Sequence, residues 1–262
     1  MLTNLKTLFV LTLLLTLILP AQADEATELQ RILKAHVDAM GGWSAWNKVE
    51  SIRLTGTIER DDQLLDYCLI KKRPDKIRMT ITMPLPDKVK EDVQLIRAYD
   101  GKTPWTATRI AGGDTLARQT LTDDAASDLI DEAHVLPKLM YLCQTNAELK
   151  KTATMTYEGK VLHVIHATLK NNPEKHYEIY LADETHLVSK SIAYKDGEIV
   201  SSATLSGAEA IAEITVAKTL HLHSPSAGST LMQIEDVTIG VGIYEEYFET
   251  VIDTATISAA TR

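Results

Sequence analysis

Two pairs of histidines have residue types and spacing that could bind a metal ion. They are His163 with His166, and His221 with His223. Imidazole nitrogen is a common ligand of zinc and other transition metals, but a site needs further ligands. No nearby cysteine or carboxylate completes a recognised ligand spacing for either pair. Both pairs fall in strand-like stretches, so we predict solvated strand histidines and no metal site.

The two cysteines of the chain, Cys68 and Cys143, could form a disulfide. An even number of cysteines is consistent with an oxidising compartment, and such a bond would tie an early strand to a later helical segment. Sequence spacing alone cannot place two sulfur atoms within bonding distance, so two separate buried thiols are the alternative. Neither cysteine lies in a motif for nucleophilic catalysis.

Hydrolytic chemistry has little support in this sequence. Glu245, Glu246 and Glu249 form an acidic tail segment, and paired carboxylates can act as general acid and base. A solvated face is the simpler explanation for them. The sequence has no Gly-x-Ser-x-Gly elbow, phosphate-binding loop or zinc-protease motif. We therefore predict a protein that is not an enzyme and needs no cofactor.

The first 23 residues have the pattern of an export signal. Lys6 is followed by a leucine-rich run over 7–19 and by Ala21-Gln22-Ala23, a small-residue cleavage signature. A membrane-spanning helix needs about 20 apolar residues, and this run is shorter. We predict that residues 1–23 are cleaved and that the mature chain is exported to the periplasm. An uncleaved membrane anchor is the alternative.

The charge and length of the remaining chain limit its partners and its domain organisation. The net charge is −9, and loss of Lys6 with the leader makes it −10. Such an acidic chain is not expected to bind nucleic acid. We find no linker or low-complexity tract, so 24–262 is predicted to be a single domain.

Residues 25–60 define the start of the fold. An amphipathic helix is followed by Gly41-Gly42, which ends it because glycine readily adopts the left-handed conformation of a helix C-cap. Residues 43–49 fit a short helical turn, whose Trp43 and Trp46 could either line a cavity mouth or anchor the turn. A strand follows from Ile52 to Arg60. The apolar stripe of the helix consists of Leu29, Ile32, Leu33, Val37 and Met40.

Most of the later sequence alternates between apolar and polar residues, which is typical of strands. Asp100-Gly101 and Asp196-Gly197 predict tight hairpins. Ala125–Glu132 and Lys138–Cys143 predict a helical insertion. We expect a mainly β (α+β) protein with a single antiparallel sheet of about ten strands. A large sheet with one wet side must curl its apolar face around other elements, here the N-terminal helix and the insertion.

Several segments together resemble the outer-membrane lipoprotein-sorting proteins of the periplasmic LolA/LolB type. They are the helix ending in Gly41-Gly42, the turn 43–49, the strand Ser51–Glu59 and the hairpin Tyr99–Trp105. The likeness extends over most of the mature chain. The acid-led helix after Leu121, the paired hairpins and the closing strand before Tyr247-Phe248 occur in the expected order.

The resemblance implies a curved, unclosed barrel in which helices form a lid over a hydrophobic cavity on the concave face. The implied function is a periplasmic carrier that binds acyl chains of lipoproteins or other lipids and moves them toward the outer membrane. An inner-membrane donor complex and an outer-membrane acceptor would be its partners, and the carrier would be a monomer. The alternative is a lipid- or lipoprotein-sensing or assembly module that acts through a protein partner.

Twelve apolar residues are candidates for the cavity and its lid. Ordinary core packing is the alternative for each of them. Met79 and Met140 in particular have flexible side chains that could adapt to acyl chains of different shape. The candidates in strands are Ile52, Leu54, Ile77, Met79, Ile81, Val93, Leu95 and Trp105, and those in the helical insertion are Leu129, Leu136, Leu139 and Met140.

Overall fold

The computed structural model describes residues 19–60, 63–84, 92–111, 113, 115–145, 147–170 and 172–249. The helices are α1 (Leu19–Ala39), α2 (Gly42–Asn47), α3 (Asp123–Glu132) and α4 (Lys138–Gln144), with a 3-10 turn at Glu245–Tyr247. The strands are β1 (Ser51–Arg60), β2 (Gln63–Lys72), β3 (Lys76–Met83), β4 (Val93–Tyr99), β5 (Pro104–Ile110), β6 (Thr115–Thr120), β7 (Ala147–Tyr157), β8 (Lys160–Leu169), β9 (Asn172–Ala182), β10 (Val188–Lys195), β11 (Glu198–Ile211), β12 (Ile214–Ser224) and β13 (Gly228–Ile239).

All thirteen strands belong to one antiparallel sheet in the order β6-β5-β4-β3-β2-β1-β13-β12-β11-β10-β9-β8-β7. The chain runs from the centre to one edge, crosses through α3 and α4, and returns from the other edge until β13 pairs with β1. The predicted antiparallel, mainly β architecture is therefore confirmed, and the sheet does not close. The predicted number of about ten strands is too low. Strand β6, with the sequence TLARQT, lacks the alternation that predicts strands and forms by backbone pairing with β5.

The register divides the side chains of the sheet between two faces. Residues directly opposite each other in an antiparallel pair point to the same side. Ile52 pairs with Lys71, Lys71 with Ile77 and Ile77 with Tyr99, so these four share a face. Helix side chains pack against this face, which we call the inner face. The opposite side is the outer face.

Helix α3 contacts two parts of the sheet that are distant along its strand order. Its Glu132 carboxylate lies 3.8 Å from Lys71 Nζ of β2, and Asp128 lies 3.2 Å from Lys175 Nζ of β9. Six strand spacings separate β2 from β9, or about 29 Å along the sheet at about 4.8 Å each. A ten-residue helix is only about 15 Å long. The sheet must therefore curl toward its inner face.

The end of α1 is fixed by its contacts with β12 and α2. The backbone N–H of Thr215 donates to the carbonyl oxygen of Met40 (3.0 Å), and Trp46 Nε1 donates to the same oxygen (2.8 Å). Gly41 adopts φ +103°, and a Cβ atom there would lie 2.0 Å from the carbonyl oxygen of Glu213. Gly41, which was predicted to end the helix, thus also lets the backbone at the end of α1 lie close to the β11–β12 turn.

Gly41→Ala is expected to lower the free energy of unfolding by about 3 kcal/mol, because it combines an unfavourable φ with a backbone clash. The matched control is Gly42→Ala, since Gly42 also has positive φ (+82°) but a Cβ added there would meet no atom within 4 Å. That change should cost about 1 kcal/mol. Chemical denaturation of both variants measures the difference. Equal losses would contradict the close packing at Gly41.

The predicted leader lies mainly outside the described residues, which begin at Leu19. The backbone of 19–23 forms the first part of α1. Cleavage after Ala23 therefore stays a prediction, as does the single-domain assignment of 24–262. Among the described residues, no helix combines the length and the apolarity that a membrane span requires.

Candidate functional site

The inner face carries an apolar cluster that differs from the others in its composition. All of its members come from strands, although Leu54 and Leu69 at its edge also pack against the neighbouring clusters that contain helix side chains. Three members are buried and the other six are half-buried. We call this cluster the inner apolar patch. It consists of Ile58, Tyr67 and Met232, surrounded by Leu54, Leu69, Met79, Ile81, Leu220 and Leu222.

The patch arises from strand alternation combined with register. Leu54 pairs with Leu69, and Leu69 pairs with Met79, which places three apolar side chains in one row across β1, β2 and β3. Beside that row, Tyr67 pairs with Ile81. The patch continues through Met232 of β13, Leu220 and Leu222 to β12, so it crosses five neighbouring strands.

Other parts of the inner face are covered by helices. Ile52 forms one buried cluster with Leu136 and Met140 of the insertion, together with Val37 of α1 and Trp46 of α2. Met140 has no exposed surface. Trp46 therefore anchors α2 to the sheet, as one of the two sequence interpretations proposed.

Two further clusters bind the helical insertion to separate parts of the sheet. Leu129 of α3 packs with Ile77 of β3. Leu139 of α4 packs with Ile165 of β8 and Ile179 of β9. These contacts account for the burial of the four insertion residues singled out in the sequence. The predicted helices are present at α3 and α4, whereas their action as a lid stays a prediction.

The two candidates on β4 lie on the inner face beside the patch. Leu95 pairs with Ile81, and Val93 pairs with Met83. Leu95 is 38% exposed, which is unusual for a large apolar residue on a face that is otherwise largely covered. It extends the apolar surface of the patch toward the β5 side of the sheet.

Trp105 lies on the other side of the sheet from the remaining candidates. It pairs with Ala98, and Ala98 pairs with Arg78, so all three belong to the outer face. Its indole Nε1 donates to the carbonyl oxygen of Phe248 at 3.0 Å. The apolar surface around Trp105 is thus covered by the C-terminal segment. We therefore leave Trp105 out of any cargo surface on the inner face.

Residues 240–249, the C-terminal segment, cross the outer face from β1 toward β5. Ser51 Oγ donates to the carbonyl oxygen of Val241 (2.7 Å), and Arg78 donates to that of Tyr247 (2.7 Å). The Arg78 guanidinium also lies 4.3 Å from the centre of the Tyr247 ring. Phe248 is fully buried. The sequence motif Tyr247-Phe248 was the available signal for this docking.

The possible disulfide is not formed, and the structure has the alternative of two separate thiols at Cys68 and Cys143. Cys68 pairs with Thr55 of β1 and lies on the outer face, whereas Cys143 packs beside the α4 cluster on the inner face. The sheet separates the two sulfur atoms. Burial raises the pKa of both thiols, that of Cys143 to about 11, so they are protonated at neutral pH.

The histidines make other contacts. His163 is buried, and its Nε2 lies 2.8 Å from the Asp183 carboxylate, a hydrogen bond that lowers the pKa of Asp183. The ring of His166 lies 4.8 Å from that of His176. Over the described ranges, no group of three or more His, Cys, Asp or Glu side chains could hold a metal ion.

The helical insertion is attached to the sheet by ion pairs as well as by apolar contacts. The ammonium groups of Lys138 and Lys71 lower the pKa of the Glu132 carboxyl to about 2, although this side chain is 59% exposed. Lys175 of β9 is 8% exposed and pairs with Asp128 and Asp131 of α3. The acidic side of α3 is thereby matched by lysines of the sheet.

Sequence reasoning missed six of the nine members of the patch. Alternation provided a signal for all six, because each lies in a strand-like stretch of the sequence. They are Ile58, Tyr67, Leu69, Leu220, Leu222 and Met232. Their convergence depends on the pairing of β13 with β1, which joins strands from opposite ends of the chain. That pairing has no local sequence signature.

The fold is that of an open antiparallel sheet whose inner face packs helices and retains an apolar patch. Two solved structures share it over most of both chains. A LolA superfamily protein from Nitrosomonas europaea has 11% identity and a TM-score of 0.55, with 84% of this chain and 97% of that chain covered. A protein from Vibrio parahaemolyticus described as an outer membrane lipoprotein-sorting protein domain has 11% identity and a TM-score of 0.52, with 84% and 95% covered.

The chain therefore has a LolA-like fold, which confirms the resemblance of the sequence to that group at the level of structure. No protein-family model matches the chain, and no curated protein matches its sequence. At 11% identity the likeness concerns the fold alone.

Proposed function

We propose that this protein is a periplasmic carrier that binds acyl chains of lipoproteins or other lipids and moves them toward the outer membrane. The observation that supports this most directly is the inner apolar patch, in which six large apolar side chains from neighbouring strands are only partly buried. Apolar side chains that remain partly exposed in one contiguous group commonly mark a binding site. The LolA-like fold agrees with this function.

The energetics suit reversible transport. Burial of a chain of about sixteen carbons at about 0.8 kcal/mol per methylene gives about 12 kcal/mol before the costs of association. Release of cargo bound this strongly then requires a partner protein. In this proposal an inner-membrane complex donates the cargo and an outer-membrane protein accepts it. The insertion residues Leu129, Leu136, Leu139 and Met140 act as a lid whose packing competes with cargo for the inner face.

The same proposal assigns no catalytic role to the chain. Its polar inner-face contacts, such as those of Glu132 and Lys71, join the insertion to the sheet. The patch itself offers only one hydroxyl, that of Tyr67, whose pKa is raised by burial. Binding without chemical conversion is what such a surface can do.

Met79→Glu is expected to abolish retention of lipid, because it places a charge on the β3 side of the patch that a bound acyl chain would have to desolvate. Both wild type and variant are purified from their native envelope, and bound lipids are identified by mass spectrometry. Thr80→Glu is the matched control, since it adds the same charge one residue away on the outer face. It should retain lipid as the wild type does.

The outcomes separate the candidate functions. A carrier retains lipid and transfers it between membrane vesicles. A sensing or assembly module retains lipid without transferring it, and a hydrolase converts ester substrates. The absence of bound lipid from wild type, or equal retention by Met79→Glu, would contradict the patch as the cargo surface.

A further inference from the structure

Arg97 on β4 occupies a distinctive position on the inner face. It pairs directly with Met79 of β3 and lies between Leu95 and Tyr99 on the same side of its strand. Tyr99 belongs to the part covered by α3, whereas Leu95 is on the exposed side. The guanidinium therefore stands at the boundary between the inner apolar patch and the helical insertion.

Among the described residues, none neutralises the charge of Arg97. Its guanidinium donates one hydrogen bond, to the carbonyl oxygen of Ala125 at 3.3 Å. Within the described part of the chain, no carboxylate forms an ion pair with it. The nearby acids of α3 are engaged elsewhere, since Asp124 pairs with Lys195 and Asp128 pairs with Lys175.

Two other cations on this side of the sheet have carboxylate partners, which distinguishes Arg97 from them. Lys71, on the same face of β2, lies 3.8 Å from the Glu132 carboxylate. Lys175 is bound by two aspartates of α3. A single unpaired guanidinium beside an apolar surface matches a ligand with one negative charge at the end of an apolar chain.

We propose that the patch binds a long-chain carboxylate, with the carboxylate on Arg97 and the chain lying over Met79, Ile81 and the patch beyond. This rests on the proposed acyl-chain binding and specifies the class of ligand. A guanidinium donates two parallel hydrogen bonds to a carboxylate, which fixes the head of the ligand. From β4 to β12 the inner face offers about 24 Å for the chain, at about 4.8 Å per strand spacing.

The test uses displacement of a neutral fluorescent naphthylamine probe by dodecanoate and by dodecan-1-ol at pH 8. Arg97→Gln is expected to raise the dodecanoate concentration for half-displacement about tenfold, as loss of a charge-assisted pair predicts. Its effect on dodecan-1-ol should stay within about twofold. Arg109→Gln is the matched control, because Arg109 lies on the outer face of the next strand and bonds Gln94. It should leave both ligands unchanged.

A second measurement needs no variant. In wild type, added salt should weaken displacement by dodecanoate and leave dodecan-1-ol unaffected, since salt screens the charge pair. Equal effects of Arg97→Gln on both ligands, or tighter binding of dodecyl phosphate than of dodecanoate, would overturn the assignment of a carboxylate to Arg97. Failure of wild type to bind the probe or either amphiphile would instead contradict the proposed function itself.

Discussion

Phe248→Ala should lower the free energy of unfolding by about 3 to 5 kcal/mol, the usual cost of deleting a fully buried aromatic ring. Phe248 has no exposed surface, although it lies near the end of the described chain. Its carbonyl oxygen accepts a hydrogen bond from Trp105, which belongs to an outer-face cluster with Ile96. The loss would show that the C-terminal segment is an integral part of the fold.

The control for this prediction lies in the same segment. Tyr244 is 81% exposed, so Tyr244→Ala should change stability by no more than about 0.5 kcal/mol. Urea denaturation followed by tryptophan fluorescence measures both variants, because the Trp105 indole is hydrogen-bonded to Phe248. If Phe248→Ala lost less than about 1 kcal/mol, the segment would not be docked in solution.

Leu139→Ala should cost about 2 to 5 kcal/mol, because Leu139 is 1% exposed and fills the space between α4 and strands β8 and β9. Once corrected for the folded fraction, its lipid retention should rise above that of wild type, because a more weakly packed lid competes less with cargo. Retention equal to that of wild type would contradict the proposed action of the lid. Thermal and chemical denaturation give the stability, and mass spectrometry of the purified protein gives the retained lipid.

The opposite result is expected for Ile81→Ala. Ile81 is half-buried in the inner apolar patch, so the change should cost about 1 kcal/mol while it lowers lipid retention. Together the two variants distinguish core packing from cargo contact. A loss of lipid with Leu139→Ala at unchanged folded fraction would instead assign the insertion a direct part in binding.

Much of the fold could be predicted because its signals are local. Strand β3 follows from the alternation of Ile77, Met79 and Ile81 with polar residues, and the hairpin at Asp100-Gly101 follows from turn chemistry. The end of α1 follows from Gly41. Strand β6 was missed because it lies at the edge of the sheet and buries few side chains. Its sequence therefore lacks the local apolar alternation that indicates a strand.

The candidate site was only partly predictable, because a face cannot be assigned from alternation alone. Alternation shows that Trp105 and Ala107 share one side of β5, yet it does not show which side is covered by helices. Trp105 was therefore a candidate for the cavity. The structure has apolar packing on both faces, and the C-terminal segment with Phe248 packs on the outer face beside Trp105.

The two free cysteines also show that the sequence does not reveal which elements lie close together in space. Cys68 and Cys143 lie in correctly predicted elements, but their distance depends on how those elements are arranged in space. Thr55 opposite Cys68 places that thiol on the outer face, away from α4. The strand register, which neither segment specifies on its own, places the two sulfur atoms on opposite sides of the sheet and so excludes the disulfide.

The sequence by itself therefore determined most of the helices and strands, the antiparallel hairpins and which alternate residues of a strand are apolar. Only the tertiary structure decided which part of the inner face the helices cover. Pairing of β13 with β1 joins Ile58 to Met232, and α3 draws the two arms of the sheet together. The physical reason is that the β13–β1 pairing and the position of α3 both depend on contacts between residues far apart in the chain. How deeply a side chain is buried depends on the sum of such contacts.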